Sequence, residues 1–176
     1  RCLKNVRFSH LQHVLSSTKT GILLKQAIPI RSFTPWEEER PGFLEIDLVA
    51  HCGQSAEGIY LNTLTATDLA TGWTECRALP NKTQAAVSQA IEAMRRDLPF
   101  PLLGLDSDNG SEFINDNLYR YCIAQQITFT RSRPYRKNDQ AHVEQKNWSV
   151  VRHTVGYDRL ETPQELALLI SIYADL

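Results

Sequence analysis

The sequence predicts one mixed α/β domain in which three antiparallel strands are followed by alternating helices and strands. The 176 residues are about the length of one domain. Hydrophobic residues make up 42% of the chain and charged residues 22%, both normal for a globular protein. Alternating apolar segments joined by short turns come first along the chain, and helical apolar stripes separate the later strands.

Three strands are predicted at the start of the domain. Phe43–Ala50 alternates and is rich in apolar residues, as is typical of a strand packed on one side. Gly58–Thr65 and Trp73–Leu79 form the second and third strands, with a Thr71-Gly72 turn between them. Since connections this short leave no room for a crossover, we expect an antiparallel meander.

Helices and strands alternate in the rest of the domain. Lys82–Leu98 carries apolar residues at helical spacing and ends before Pro99. Strands separated by helices imply parallel βαβ connections. The remaining predicted elements are a strand over Leu102–Asp106, a helix that Ser111 caps and that runs to about Gln125, a strand over Ile127–Arg131, a helix that Asp139 caps and that runs to about Val155, and a final helix opened by Thr162-Pro163.

Charge is distributed unevenly although the formal net charge is only −1. Residues 1–36 contain six Lys or Arg and no Asp or Glu, and residues 131–152 contain six basic and two acidic side chains. We interpret residues 1–41 as a basic linker or the remnant of an upstream domain, and 42–176 as the compact core with a truncated C-terminus. An acidic centre between basic flanks suits cations in the middle and a polyanion at the edges.

Two function classes are excluded or disfavoured by composition. No stretch approaches 18 consecutive apolar residues, which excludes a membrane-spanning helix. The four cysteines are scattered without a C-x-x-C pair, which argues against a disulfide framework or a zinc knuckle and favours a reducing cytoplasmic setting.

Three carboxylates occupy positions typical of a ligand site. Asp47 lies in the middle of the first strand, Asp108 just past the fourth, and Glu144 in the first turns of the following helix. Clustered carboxylates repel one another, and oxygen ligands favour Mg²⁺ or Mn²⁺ as the ion that removes the conflict. Each acid alone also has a structural explanation as a turn or helix-start residue, and Asp106 and Glu112 lie close enough to replace one of them.

The spacing of these acids resembles that of the DDE integrases and transposases. Sixty residues separate Asp47 from Asp108, and 35 separate Asp108 from Glu144. The string LDSDNGSEF around Asp108 is similar to the second-carboxylate motif, and QAHVEQKN around Glu144 is similar to the Gln-x-x-x-Glu-x-x-Asn pattern of the retroviral-integrase branch. Over residues 42–158 the chain resembles the catalytic core of a bacterial insertion-sequence transposase.

This resemblance implies a ribonuclease-H-like fold, a five-stranded mixed sheet with helices on both faces. It implies that Asp47, Asp108 and Glu144 are catalytic and hold two Mg²⁺ ions when DNA is bound, with Mn²⁺ as a substitute. The implied reaction is DNA end cleavage and strand transfer by in-line attack on a phosphodiester. The implied partners are element ends, target DNA and further copies of the chain, at the bacterial nucleoid, with a DNA-binding domain upstream.

Further DNA contacts are expected around Glu144. Gln140 and Asn147 share its helix face, and the family pattern places Gln140 near the scissile phosphate and Asn147 at the metal or substrate. Many relatives carry Lys or Arg seven residues past the glutamate, where this chain has Val151 and then, about 100° further round an α-helix, Arg152. The basic side chains expected to contact the DNA backbone, or else to be solvated charge, are Arg131, Arg133, Arg136, Lys137, Lys146 and Arg152.

Two other functions remain open at this point. A ribonuclease-H-like nuclease would hydrolyse DNA without joining strands, and joining by a 3′ hydroxyl separates the two activities. A DNA-binding or assembly module would no longer use the acids, against which the intact triad argues.

Overall fold

The computed structural model describes residues 23–31, 39–133 and 137–176. Most of the basic segment 1–36 and Arg136 lie outside the described residues, and so do the side chains of Lys137 and Asn138. Within the described ranges, every helix is too short or too polar to span a bilayer.

A five-stranded mixed sheet forms the centre of the molecule, as the sequence predicts. Its spatial order is β3-β2-β1-β4-β5. The first three strands pair antiparallel, and β1 pairs with β4 and β4 with β5 in parallel. The strands are β1 (Phe43–Ala50), β2 (Asn62–Asp68), β3 (Thr74–Leu79), β4 (Gly104–Ser107) and β5 (Thr128–Arg131).

Of the predicted helix caps, Thr162 is confirmed and Asp139 is wrong, because Gln140 precedes that helix and the Asp139 carboxylate accepts from Arg133 instead. Thr83 caps the first helix, and Thr162 and Glu165 form a reciprocal capping box at the last one. Ala141–Lys146, the π-helical segment Asn147–Arg152 and His153–Val155 are continuous and together form the composite helix (141–155). Within residues 39–133 and 137–176, the α-helices are α1 (Gln84–Asp97), α2 (Asp116–Ala124), α3 (Ala141–Lys146), α4 (His153–Val155) and α5 (Pro163–Ala174), and a 3₁₀ turn spans Lys137–Gln140.

Alternation along β1 separates two layers of the fold. Leu44 and Ile46 point into the main core, where buried side chains of α1 and α2 pack. Val49 points to the opposite face and belongs to a second cluster with Val151 of the composite helix and Leu169 of α5. Because side chains alternate between the faces of a strand, Glu45 and Asp47 share the face of Val49. Both acids therefore face the composite helix.

The second strand begins later than predicted, because a distant arginine binds the carbonyls of the preceding residues. The predicted strand Gly58–Thr65 is wrong at its start: the strand is Asn62–Asp68. The Arg159 guanidinium donates to the carbonyl oxygens of Ser55, Glu57 and Ile59 at 3.0, 2.9 and 3.2 Å. This arrangement holds the residues before β2 as a loop.

The predicted helix start at Ser111 is also wrong. The cap is Asn115, whose side-chain oxygen accepts from the Leu118 amide at 2.9 Å. Residues 110–114 form turns instead, with the amides of Phe113 and Ile114 donating to the Gly110 carbonyl. Asn115 is as good a cap as Ser111, and its position after buried Phe113 and Ile114 lets these two side chains enter the core.

The composite helix departs from a straight α-helix in a way that aligns its buried valines. Val143 and Val151 are both 0% exposed although they lie eight residues apart. At 3.6 residues per turn, such residues would point about 80° apart on an α-helix. The π-helical segment Asn147–Arg152 takes up about one extra residue per turn, which brings both valines onto the core side.

Part of the segment interpreted as a linker packs onto the core. Ile28 is 0% exposed and belongs to the main hydrophobic cluster. The backbone amide of Arg131 donates to the Pro29 carbonyl at 3.0 Å, and Ile30 forms a parallel bridge with Arg131. Residues 23–31 are thus attached along the outer edge of β5.

Candidate active site

Two pairs of acids lie one behind the other on the sheet face that the composite helix covers. Glu45 of β1 is aligned with Asp106 of β4, and we call these residues the inner acid pair. The last aligned residues of the two strands are Ile46 and Ser107. Asp47 and Asp108 follow directly at the carboxyl end of β4, and we call them the outer acid pair. Parallel strands that end together bring their terminal side chains close, so this edge is a natural ligand site.

The ionised form of the Asp47 carboxyl is disfavoured in the folded chain. The pKa of this carboxyl is raised to about 6, chiefly by burial and in smaller part by the charges of Asp108 and Glu144. The Leu48 amide and the side-chain amide of Asn147, which donates to Asp47 Oδ2 at 2.8 Å, act in the opposite direction. The three acids that the sequence singles out therefore interact in the folded chain, and a bound cation would relieve their repulsion.

Asp108 is held in the predicted Asp-Asn-Gly turn. Its Oδ1 accepts a hydrogen bond from the Gly110 amide at 2.8 Å. Burial raises the pKa of the Asp108 carboxyl, and the neighbouring Glu112 carboxylate adds to the increase. A Cβ on Gly110 would lie 2.7 Å from Glu112 Cδ and 2.8 Å from Asp108 Oδ1. The turn thus has room for two carboxylates only because residue 110 is glycine.

Glu144 is the exposed member of the three. It lies on α3, one residue after the buried Val143, and its side chain faces solvent beside the outer acid pair. Within residues 23–31, 39–133 and 137–176, no three acidic, histidine or cysteine side chains surround a common point that could hold a metal ion. A third ligand from Glu144 therefore requires its exposed side chain to turn toward Asp47.

The chemistry of the donors nevertheless fits a hard divalent cation. All three acids offer oxygen atoms, which Mg²⁺ and Mn²⁺ prefer. Beside Asp47, the Asn147 Oδ1 is buried without a hydrogen-bond partner among the described residues. An unpaired carbonyl oxygen and carboxyls with raised pKa are groups that a cation would satisfy.

The motif residues around Glu144 occupy different environments. Asn147 contacts Asp47 directly, as stated above. Gln140 is only 7% exposed, and its Nε2 donates to the Asp106 carbonyl oxygen at 3.4 Å, so it is engaged with β4. The π-helical segment has about one more residue per turn than an α-helix. The Arg152 side chain therefore leaves the composite helix at an angle closer to that of Glu144 than it would on an α-helix. Its guanidinium donates to the carbonyl oxygens of Ala50 and Gly156.

The remaining basic residues are spread over several surfaces. Arg131 Nε donates to the carbonyl oxygens of Lys25 and Ile28, which fixes the segment 23–31 on β5. Arg133 forms a two-pronged ion pair with Asp139, at 2.7 and 2.9 Å. Lys146 lines a groove of about 1070 Å³ between β3, α1 and α5, away from the acids.

Sequence reasoning missed Glu45 and Arg31, which lie immediately behind the outer acid pair. Arg31 Nη1 donates to Glu45 Oε1 at 2.6 Å, and Glu45 also contacts α3. Burial raises the pKa of Asp106, the other inner acid, to about 6. The signal for Glu45 was present, because it lies two positions before Asp47 and therefore on the same face of the strand.

Comparisons with known proteins identify what the chain is similar to. A family model described as "Integrase core domain" matches residues 37–137. An uncharacterised protein of Sinorhizobium fredii, y4rM, is 44% identical over 150 residues, which cover 85% of this chain and 43% of that protein. The chain thus spans less than half the length of this relative.

Two solved structures are similar in fold. The simian T-cell lymphotropic virus intasome in complex with PP2A regulatory subunit B56 gamma matches with a TM-score of 0.57 and 15% identity, over 75% of this chain and 48% of that chain. The catalytic core domain of BIV integrase matches with a TM-score of 0.49 and 22% identity, over 61% of this chain and 64% of that chain. The sheet order, the family model and the match to the intasome confirm the ribonuclease-H-like fold.

Proposed function

Because the chain belongs to the integrase core domain family, we propose that it is the catalytic core of a DNA transposase that cleaves DNA ends and joins them to target DNA. The observation that carries the proposal is the outer acid pair, at which burial, and to a lesser extent the charges of Asp108 and Glu144, raise the pKa of Asp47 to about 6. Such a site disfavours three free carboxylates and favours a divalent cation among them. The assigned roles of Asp47, Asp108 and Glu144 follow from this arrangement.

The protein groups act by holding and aligning. Asp47 and Asp108 hold the cation from the two strand ends, and Glu144 completes the site from α3. Bound Mg²⁺ supplies charge neutralisation and activation of an oxygen nucleophile at the phosphodiester. Asn147 holds the Asp47 carboxylate through its 2.8 Å hydrogen bond to Oδ2 and thereby fixes the orientation of this ligand.

Element ends and target DNA are the proposed substrates. Arg133, Arg136, Lys137 and Arg152 are the basic residues near the start and end of the composite helix that we assign to the phosphate backbone. Two ends must be joined in one event, so we propose that several copies of the chain act together at the bacterial nucleoid. The relative, which is about twice as long as this chain, has room for terminal-sequence recognition outside this region.

Strand joining by a 3′ hydroxyl tests the proposal. The chain is incubated with supercoiled plasmid, a 5′-labelled duplex oligonucleotide and Mn²⁺, and the covalent transfer of label to plasmid is measured. Glu144→Gln should reduce transfer at least 100-fold while DNA affinity stays within twofold. Glu112→Gln is the matched control, because Glu112 lies beside Asp108 but outside the proposed triad; it should retain most of the transfer activity.

The same assay distinguishes the two alternatives. Plasmid nicking that depends on Glu144 but transfers no label identifies a hydrolytic nuclease. DNA binding with neither nicking nor transfer identifies a binding or assembly module. Transfer that survives Glu144→Gln unchanged would contradict the assignment of the triad.

A further inference from the structure

The inner acid pair has a different environment from the outer pair. Glu45 and Asp106 are both 0% exposed, and buried acids destabilise a fold unless partners compensate them. We propose that Glu45 and Arg31 are positioning residues that hold α3, and with it Glu144, against β1. The inference rests on the proposed function only for the role of Glu144.

Glu45 caps α3 from the neighbouring strand. Its Oε2 accepts hydrogen bonds from the backbone amides of His142 at 3.0 Å and Val143 at 3.1 Å. These amides belong to the first turn of α3, where a helix has no internal acceptors for them. Gln140, at the cap position, makes no side-chain capping bond in the described structure. A strand residue thus does what an N-cap side chain usually does, and its negative charge favours the positive end of the helix.

Arg31 connects this cap to the chain that enters the helix. Its Nη1 donates to Glu45 Oε1 at 2.6 Å and lies 3.9 Å from Asp106 Oδ2. Its Nη2 donates to the carbonyl oxygen of Asp139 at 2.6 Å. One guanidinium therefore contacts β1, β4 and the residues just before α3, and it offsets the charge of the inner pair.

The position of Arg31 is itself fixed by the core. Three residues earlier, Ile28 is fully buried, and its carbonyl oxygen accepts from Arg131 Nε at 3.1 Å. The next carbonyl, that of Pro29, accepts from the Arg131 amide. Segment 23–31 therefore brings Arg31 to the inner acid pair as part of the folded domain.

These contacts determine where Glu144 lies. Val143, which Glu45 binds through its amide, immediately precedes Glu144. Asn147 adds a second attachment about one turn later through Asp47. Without Glu45, the first turn of α3 loses both hydrogen bonds to β1. Without Arg31, the Glu45 carboxylate loses the ion pair that orients it toward these amides, and the first turn is free to shift. Displacement of a catalytic group by 1 Å can reduce a rate about 100-fold.

Two measurements on Arg31 variants test the positioning role. Arg31→Ala should speed amide exchange at His142 and Val143 at least tenfold while exchange in α2 stays within twofold of wild type. Strand-transfer turnover should fall at least tenfold with DNA affinity within twofold. Arg31→Lys keeps the charge and should restore at least a third of the turnover. Arg120→Ala removes an exposed arginine paired with Asp116 on α2 and should change none of these values.

Glu45→Gln is a second test of the positioning role in case Arg31→Ala does not fold, because glutamine has nearly the same side-chain volume as glutamate. This variant should speed hydrogen exchange at the His142 and Val143 amides. Asp68→Asn is the matched control, because Asp68 is another fully buried carboxylate that accepts hydrogen bonds from backbone amides, and it should leave the exchange at His142 and Val143 unchanged. Wild-type exchange at His142 and Val143 in both folded variants would overturn the inference. If the wild type shows no DNA chemistry, the proposed function fails, and the exchange measurement still decides whether Glu45 and Arg31 hold α3.

Discussion

Replacing Asp47 by asparagine should stabilise the metal-free protein, although Asp47 is the proposed metal ligand. Its pKa is raised from 3.8 to about 6, chiefly by burial. In the folded chain the carboxyl is therefore harder to ionise than in the unfolded chain. The ionised form lowers the free energy of unfolding as the pH rises from about 4 to about 6. Above pH 7 the loss amounts to about 3 kcal/mol.

Asp47→Asn removes this loss without removing the acceptor atom that Asn147 uses. In EDTA at pH 8, the variant should be up to about 3 kcal/mol more stable than wild type, and at pH 4 the two should be nearly equal. Urea denaturation at both pH values measures the difference. Mg²⁺ at 100 times its dissociation constant should then stabilise only wild type, by about 2.7 kcal/mol.

Asp68→Asn is a control for which we expect the opposite change, a lower free energy of unfolding. Asp68 accepts hydrogen bonds from the amides of Gly42 and Thr71 and from the Thr71 hydroxyl, which asparagine cannot all replace. This variant should lose about 1–3 kcal/mol at pH 8. The reasoning is refuted if Asp47→Asn is also less stable than wild type at pH 8 in EDTA, or if Mg²⁺ stabilises it equally.

Two further predictions concern residues around the site. Gly110→Ala places a Cβ against the ends of the Asp108 and Glu112 side chains. Strand transfer should therefore fall at least tenfold. The free energy of unfolding, measured by urea denaturation, should change by less than about 1 kcal/mol. Burial, with the Arg152 charge, lowers the pKa of His51 to about 4, so acid favours the unfolded chain between pH 6.5 and 4. His51→Asn should therefore gain stability relative to wild type, by up to about 3 kcal/mol, when the pH is lowered from 7.5 to 4.5, and no relative gain would contradict the burial argument.

The local patterns of this sequence predict the first strand and the turn that holds Asp108, because each depends on short-range information. Phe43–Ala50 alternates over its whole length, and the structure has a strand with these bounds. Asp108 follows a short apolar strand and precedes Asn109-Gly110, which fixes the turn. Asp47 and Asp108 come to one edge because β1 and β4 pair in parallel, a long-range contact that the local patterns do not fix.

Long-range contacts explain what the patterns do not predict. Gly58–Leu61 has the composition of a strand, but Arg159, about 100 residues away, binds the carbonyls of this region. The π-helical segment depends on burying Val143 and Val151 together, which a helical periodicity argument cannot anticipate. The attachment of α3 depends on Arg31, which lies in a segment with weak periodicity of its own.

An anomalous difference map from a Mn²⁺-soaked crystal shows whether the outer acid pair and Glu144 hold a divalent cation. We predict a peak between Asp47 and Asp108, about 2.1 Å from a carboxylate oxygen of each, with the Glu144 side chain turned toward it. The same map should be featureless at this position for Asp47→Asn. Saturating Mn²⁺ that binds elsewhere, such as between Asp108 and Glu112 alone, with Asp47 free of metal, would contradict the claim.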